Sequence, residues 1–329
     1  MRRTTLKDVG DHVGVSAKTV SNVINGTGWV RDDLKARVRE AIDELGYRPN
    51  SAARQLRSGR SGMVALAIPD LSQPYFAELA SAIVAAAADR SITVLINQTN
   101  GQADAERRIS DGVGIPVMDG LILSPLALTA SDLADRQDST PIVLLGEHVG
   151  ESRFPHVTVE NAAAARAATD YLLRSGRTRI AAIGAQATGP RETSELRLAG
   201  YRTALREAGI AEDPALIRQV IDFRRSDGVA AVDGLLAEGV PFDGVFAFND
   251  LMALGALHAL GEAGLRVPED VAVVGFDDIE EGRYSTPPLT TVAPDKAALG
   301  SLALELLLSD SPAAGDTTVP YQIVSRMSA

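Results

Sequence analysis

The chain has 329 residues, 45% of them hydrophobic, no cysteine, four histidines and a formal net charge of −11. That length suits two or three packed units. The missing cysteine excludes disulfides and thiolate metal sites, the histidines have no zinc-like spacing, no apolar run approaches a bilayer span, and no secretory signal opens the chain, so the expectation is a cytoplasmic protein without membrane partner, metal or cofactor.

The charge is uneven: residues 1–60 carry +5 and the remainder −16. A local cationic module can neutralise phosphates while an acidic body stays in solvent. The spacing within that module predicts two short helices separated by a Gly-Val-Ser turn. Thr5 and Asp8 have capping-box spacing, and Ser16 suits the cap of the second helix. On that helix Val20, Val23 and Ile24 form an apolar stripe. Ala17, Lys18, Ser21, Asn22 and Asn25 fall on the other face, a small polar surface suited to reading bases in a major groove. A third helix is expected after Trp29-Val30-Arg31, with Leu34, Val38, Ala41, Ile42 and Leu45 at helical spacing and Gly46 at its end. Residues 47–61 follow as a linker, in which Pro49 and Gly59 bracket about nine good helix formers, too few to hold a helix in water alone.

From Met63 onward short β-rich runs alternate with helical ones. Strands are expected at 64–68, 93–96, 121–123, 142–145, 180–183, 245–248 and 271–275, with helices between many of them, as at 75–89, 162–174 and 251–261. This alternation predicts doubly wound parallel sheets, and two sheets rather than one. Ligands of such sheets bind beyond the carboxyl ends of the strands. The residues there are Asp70, Ser124, Gly184, Asn249-Asp250 and Asp277-Asp278, a polar set that suits one cleft. Asp250 is expected to cap the helix that begins at Leu251, which leaves Asn249 for a ligand.

In order and spacing, Thr5-Leu-Lys-Asp-Val, Val15-Ser with Thr19-Val-Ser and Asn25-Gly, Glu44-Leu-Gly-Tyr-Arg-Pro-Asn, Ala53-Arg-x-Leu56, Ile68-Pro-Asp through Pro74-Tyr-Phe, Asp119-Gly-Leu-Ile-Leu-Ser-Pro, Phe248-Asn-Asp, Val274-Gly-Phe-Asp-Asp and Pro288-Leu-Thr-Thr-Val are highly specific. On these residues the chain resembles the lactose-repressor (LacI/GalR) family of bacterial transcriptional regulators over nearly its whole length. The resemblance implies a helix-turn-helix headpiece (1–46), a hinge helix, and a core like periplasmic sugar-binding proteins (62–329). Three crossovers would divide that core into an N-subdomain, 62–159 with 292–320, and a C-subdomain, 160–291 with 321–329. The chain stops just past the last crossover, without the added helix of the tetrameric member, so a homodimer is expected.

By the same resemblance Ala17, Lys18 and Asn22 read bases of operator DNA, while Thr5, Ser16, Thr19, Ser21, Asn25 and Arg31 hold its backbone. Asn22 departs from the more usual Arg, which implies a different base preference at the facing position, Asn pairing best with adenine and Arg with guanine. Arg54 and Leu56 fall on the hinge, where Leu56 would wedge into the minor groove. Tyr75, Phe76, Ser124, Glu160, Arg197, Phe223, Asn249 and Asp277 are placed around an effector cleft suited to a sugar. Several of these also have plain structural readings: Tyr75 and Phe76 as core anchors, Asp277 as a turn residue, Thr5 and Ser16 as caps. Gly146 stands where many relatives carry Asp.

Enzyme readings fare badly. The run Gly184–Gly189 has the first half of a phosphate loop, but Pro190-Arg191 replaces its Lys-Ser/Thr. The Asp277-Asp278 pair has no evident nucleophile or metal ligand beside it. The expected mechanism is a repressor released by a small-molecule inducer. Corepression by a nucleobase or nucleoside is the alternative, and a sugar-modifying enzyme fused to a DNA module is the remote one.

Overall fold

The computed structural model describes residues 4–47, 60–114, 116–149, 152–188, 191–312 and 314–329. The expected hinge helix, with Arg54 and Leu56, lies outside the described residues. The chain divides into two units, Met1–Ser61 and Gly62–Ala329.

In the first unit the three expected helices form: α1 (Leu6–Val13), α2 (Ala17–Asn25) and α3 (Asp32–Glu44). Val9, Val13, Val20, Val23, Val30, Val38 and Ala41 make its core, so the apolar stripes meet one another as the spacing predicts. The turn between α1 and α2 depends on Gly10. The Val15 amide donates to the Gly10 carbonyl at 2.8 Å, and a Cβ on Gly10 would lie 2.6 Å from the Val15 oxygen.

The second unit runs β1 (Met63–Ile68), α4 (Pro74–Ala88), β2 (Thr93–Gln98), α5 (Ala103–Ser110), β3 (Leu121–Leu123), α6 (Ala130–Ala134), β4 (Ile142–Leu145) and β5 (Pro155–Val159). It continues through α7 (Asn161–Arg174), β6 (Ile180–Ala185), α8 (Glu192–Glu207), β7 (Ile217–Gln219), α9 (Arg225–Ala237), β8 (Gly244–Ala247), α10 (Asp250–Glu262) and β9 (Ala272–Phe276). It ends with α11 (Glu280–Arg283), β10 (Thr290–Pro294), α12 (Lys296–Leu308), β11 (Gly315–Val319) and β12 (Tyr321–Val324). The strands form two six-stranded sheets, ordered β11-β5-β4-β3-β1-β2 and β12-β10-β9-β8-β6-β7. All pairs are parallel except β10 with β12.

Alternation along the strands of the first sheet feeds two layers. Val64, Leu66, Ile68, Ile122 and Val143 pack with Leu79 and Ile83 of α4 and Leu299 and Leu304 of α12. Ala65, Ala67, Leu121, Leu123 and Leu144 pack on the opposite layer with Leu133 of α6 and Ile109 of α5. In the second sheet α7 pairs with α8 and α9 with α10, and α7, α8 and α10 lie against the strands. The chain passes between lobes at Glu160, Asp295 and Pro320. The second passage is later than the expected boundary at 292. The strand β10 keeps pairing within the second sheet through Val292, opposite Phe276, to Pro294, opposite Tyr321. Among the described residues, no helix is long and apolar enough to cross a membrane.

Candidate functional site

The first unit presents α2 by its caps. The Ser16 hydroxyl accepts from the Thr19 amide at 3.1 Å, and the Thr5 hydroxyl with the Asp8 carboxylate completes a capping box on α1. Thr5 and Ser16 therefore do have the cap role, and their helix starts also direct free amides outward, where a phosphate oxygen is favoured. Ala17, Lys18 and Arg31 are exposed, while Thr19, Ser21 and Asn22 are half-buried. Asn22 is packed under the following turn: its Oδ1 accepts from the Thr27 hydroxyl at 3.5 Å, and its carbonyl accepts from the Thr27 amide at 3.0 Å. The Asn25 side chain lies outside what is described. The pattern missed Trp29, the chain's one tryptophan, which is 87% exposed beside Arg31. Its signal was available, because the stripe that defines α3 begins only after it.

In the second unit the loops after β4, β5, β6, β8 and β9 converge between the lobes. Arg197, buried on α8, is the centre. Its Nε donates to Asn161 Oδ1 at 2.8 Å, its Nη1 donates to the Phe248 carbonyl, and its Nη2 stands 3.9 Å from Asp277 Oδ1. The guanidinium lies 3.5 Å from the centroid of the Phe276 ring, a stacked cation. Burial pulls the Arg197 pKa down, opposed by Asp277, Glu147 and Tyr75. Asp277 is also buried, and burial pushes its carboxyl up to about 6 although Arg197 and Lys296 oppose this. The Tyr75 phenol is pushed up by burial and by the charges of Asp277 and Glu147. Tyr75 meets Phe76 edge-on, with ring centroids 5.3 Å apart.

The backbone here is strained. Asp277 and Asp278 have φ of 117° and 51°, values that cost free energy for residues with a Cβ. They are held by the Asp277 amide on the Val292 carbonyl at 2.8 Å, by Lys296 Nζ on both carbonyls, and by Arg283 and Arg326 on the Asp278 carboxylate. These contacts hold the backbone of both residues and the Asp278 carboxylate, and the Asp277 carboxylate is left facing Arg197.

Two expectations are corrected. Asn249, not Asp250, caps α10: its Oδ1 accepts from the Met252 amide at 2.9 Å, and its Nδ2 donates to the Phe223 carbonyl at 2.9 Å. Asp250 is fully buried and accepts from the Thr291 hydroxyl at 2.6 Å and the Ile279 amide at 2.9 Å, tying α10 to β10. Burial, with the Asp277 charge, raises its pKa well above the ordinary carboxylate value. Glu160 is exposed, and its buried neighbour Asn161 joins the Arg197 network instead. Ser124 is buried beside Gly146, whose Cβ position would lie 3.9 Å from its hydroxyl.

Glu147 was also missed. Its carboxylate accepts from the Thr158 hydroxyl at 2.9 Å, Asn161 Nδ2 at 2.7 Å and the Thr193 hydroxyl at 3.0 Å. An acid at 147, one residue past Gly146, was the available signal. Glu147, Asn161, Arg197 and Asp277 thus form one chain of polar contacts between the lobes, with Tyr75 within reach of its charges.

A helix-turn-helix unit joined to a two-lobed α/β core with a polar interlobe centre defines a ligand-responsive regulator of transcription. Comparison with known proteins agrees. Residues 5–50 match the bacterial regulatory proteins of the lacI family, and residues 169–329 match the periplasmic binding protein-like domain. The ribose operon repressor of Halalkalibacterium halodurans is 35% identical over 98% of this chain and 95% of its own length. The transcriptional repressor CytR of Escherichia coli is 35% identical over 92% of this chain and 89% of its own. The solved lac repressor dimer bound to operator and an anti-inducer matches with a TM-score of 0.85 at 27% identity, covering 99% of each chain. The chain belongs to the LacI family of DNA-binding transcriptional regulators.

Proposed function

We propose that the chain is a cytoplasmic, homodimeric repressor whose hold on operator DNA is released by a small sugar bound between the lobes of its core. Two copies of α2 enter successive major grooves of a near-palindromic site, with Ala17, Lys18 and Asn22 at base edges. Thr5, Ser16, Thr19, Ser21, Asn25, Arg31 and Arg54 position the backbone, and Leu56 from each copy wedges into the minor groove at the centre.

The observation that carries the effector reading is Arg197. A buried guanidinium stacked on Phe276 and facing the Asp277 carboxylate is arranged to share a ring hydroxyl between cation and anion, with Tyr75, Phe76 and Phe223 supplying apolar faces. Asn249 contributes by fixing Phe223, and Ser124 and Glu160 border the cleft. Similarity to ribose operon repressors makes a pentose the first compound to test.

Effector and operator sites must be coupled reciprocally, typically by ~1–3 kcal/mol. Calorimetry with a panel of sugars and nucleosides, with and without operator, tests this. The expected result is a free sugar that binds and weakens operator affinity. A nucleobase or nucleoside that strengthens operator binding would establish corepression in its place.

A further inference from the structure

We propose that Lys296 is a positioning residue for effector binding: from the first lobe it fixes the Asp277 turn of the second and supplies the counter-charge that keeps the Asp277 carboxylate an acceptor. This rests on the reading of Asp277 as an effector contact and adds a residue whose own donors are spent.

Lys296 opens α12, a helix packed on α4 and on β3, β4 and β5 of the first lobe. Its ammonium is bonded to Glu78 of α4 at 2.8 Å, to the Asp278 carbonyl at 3.1 Å and to the Asp277 carbonyl. An ammonium has three N–H groups, so these partners use all of them. Two of the bonds cross to the second lobe, and the Glu280 amide crosses back to Glu78 at 2.8 Å. The residues so held are the pair with φ of 117° and 51°, a conformation that needs outside support. Lys296 is also the one lysine past residue 35, where every other Lys/Arg position is arginine. A compact ammonium meets a carboxylate and two carbonyls converging on one point better than a planar guanidinium fork does.

The surrounding charges are finely opposed. Arg197 on α8 and Lys296 favour the ionised Asp277, while Glu78, Glu147 after β4 and Asp250 of α10 oppose it. Asp278, next in the chain, is paired with Arg283 and Arg326, and Tyr75 of α4 is a neutral phenol. Burial, the largest influence, pushes the Asp277 carboxyl up to about 6, so losing one of the two cations carries its ionisation toward neutral pH.

The first arm of the test needs no ligand. Melting temperatures of the full-length native chain and of Lys296→Met are compared from about pH 4 to 8. Removing the cation should raise the Asp277 pKa by about one unit, the lower end of an opposite-charge effect. The variant then goes on losing stability with pH after the native chain has levelled off, so the gap between them widens above about pH 6. In an Asp277→Asn background the widening should vanish. Lys296→Gln takes the place of Lys296→Met should the latter not fold. The second arm titrates D-ribose over the same pH range. The pH at which binding is half-lost should move up about one unit in Lys296→Met and stay at the native value in Lys296→Arg, which keeps the charge. A gap that is constant with pH, or that widens equally in the Asp277→Asn background, overturns the proposal. So does ribose binding weakened equally at every pH, or a shift in Lys296→Arg as large as in Lys296→Met. A native chain that does not bind ribose removes the pentose reading, and the melting arm still decides for or against Lys296.

Discussion

His148 of the first lobe and Glu192 at the start of α8 in the second stand 2.9 Å apart, Nδ1 to carboxylate, and the adjacent pair Glu147–Thr193 repeats the contact at 3.0 Å. Two neighbouring cross-lobe bonds resist a hinge motion better than one, because opening must break both together. Burial would raise the Glu192 carboxyl, but the His148 hydrogen bond and charge, together with the backbone amides of Glu192 and Arg191, outweigh it and hold the pKa below its ordinary value. A depressed carboxylate contributes stability above its ordinary pKa and loses it as pH falls through the folded value. The clasp should therefore hold at neutral pH and fail in acid. Glu192→Gln should weaken effector binding about three- to tenfold at pH 7. At acid pH, where the native Glu192 is protonated, variant and native should converge. A constant ratio across pH would show that the charge of Glu192 plays no part.

Asp277 has the opposite sign. Its folded pKa is raised to about 6 from an ordinary 3.8, so between those values the folded state holds the extra proton. Stability should fall as pH rises through this window and level off above it. On the proposed reading, in which the ionised carboxylate accepts from the effector, effector binding should weaken as pH drops below about 6. Asp277→Asn should lower effector affinity by about 10–100-fold, the range for a hydrogen bond to a charged partner. It should also flatten the pH profile and leave operator binding intact without effector. Calorimetry at several pH values, beside operator gel shifts, reads both.

Much of this architecture was legible in the sequence, and the failures have physical causes. The buried central strands read clearly because parallel strands covered on both faces are continuous apolar runs, as in Val64-Ala-Leu-Ala-Ile68. Edge strands do not have that signature. β11 is Gly-Asp-Thr-Thr-Val and largely exposed, and β7 has three residues. β5 hid behind Pro155 and His156, polar or strand-breaking types that are nonetheless buried, because β11 and β4 pair with this strand on either side. At the site, Asp277 stood out because it ends a buried strand. Asn249 and Asp250 were interchanged because both residue types cap helices equally well, and only the positions of Thr291 and Ile279 decide which of them is buried instead. Glu147 was overlooked because its main partners, Asn161 and Thr193, come from the other lobe.

Gly10 gives a separate handle on the DNA-binding unit. A methyl group there would lie 2.6 Å from the Val15 carbonyl oxygen, which is backbone and cannot rotate away. Gly10→Ala should therefore displace the turn that sets α2 against α1, at a cost of about 1–3 kcal/mol or more to that unit. Operator binding should fall steeply while effector binding by the core stays as in the native chain. Gel shift and calorimetry on the same preparation distinguish this from general unfolding. Full operator affinity in the variant would mean that the turn tolerates the methyl group.

Trp29 supplies an internal reporter. An indole that is 87% exposed in a cationic unit, one residue before the buried Val30 and two before Arg31, packs little of its area within that unit. Exposed large aromatic groups of this kind mark contact surfaces, since an amphipathic ring gains most when a partner covers it. As the chain has no other tryptophan, its fluorescence reports this position alone. Emission should be that of a water-exposed indole and should change on addition of operator duplex. Added salt should reverse the change, because phosphate contacts release counterions. Trp29→Ala should weaken operator binding about three- to tenfold. Operator binding seen by gel shift without any change in emission would place Trp29 away from the duplex, and the exposed ring would then have to be covered by something other than DNA.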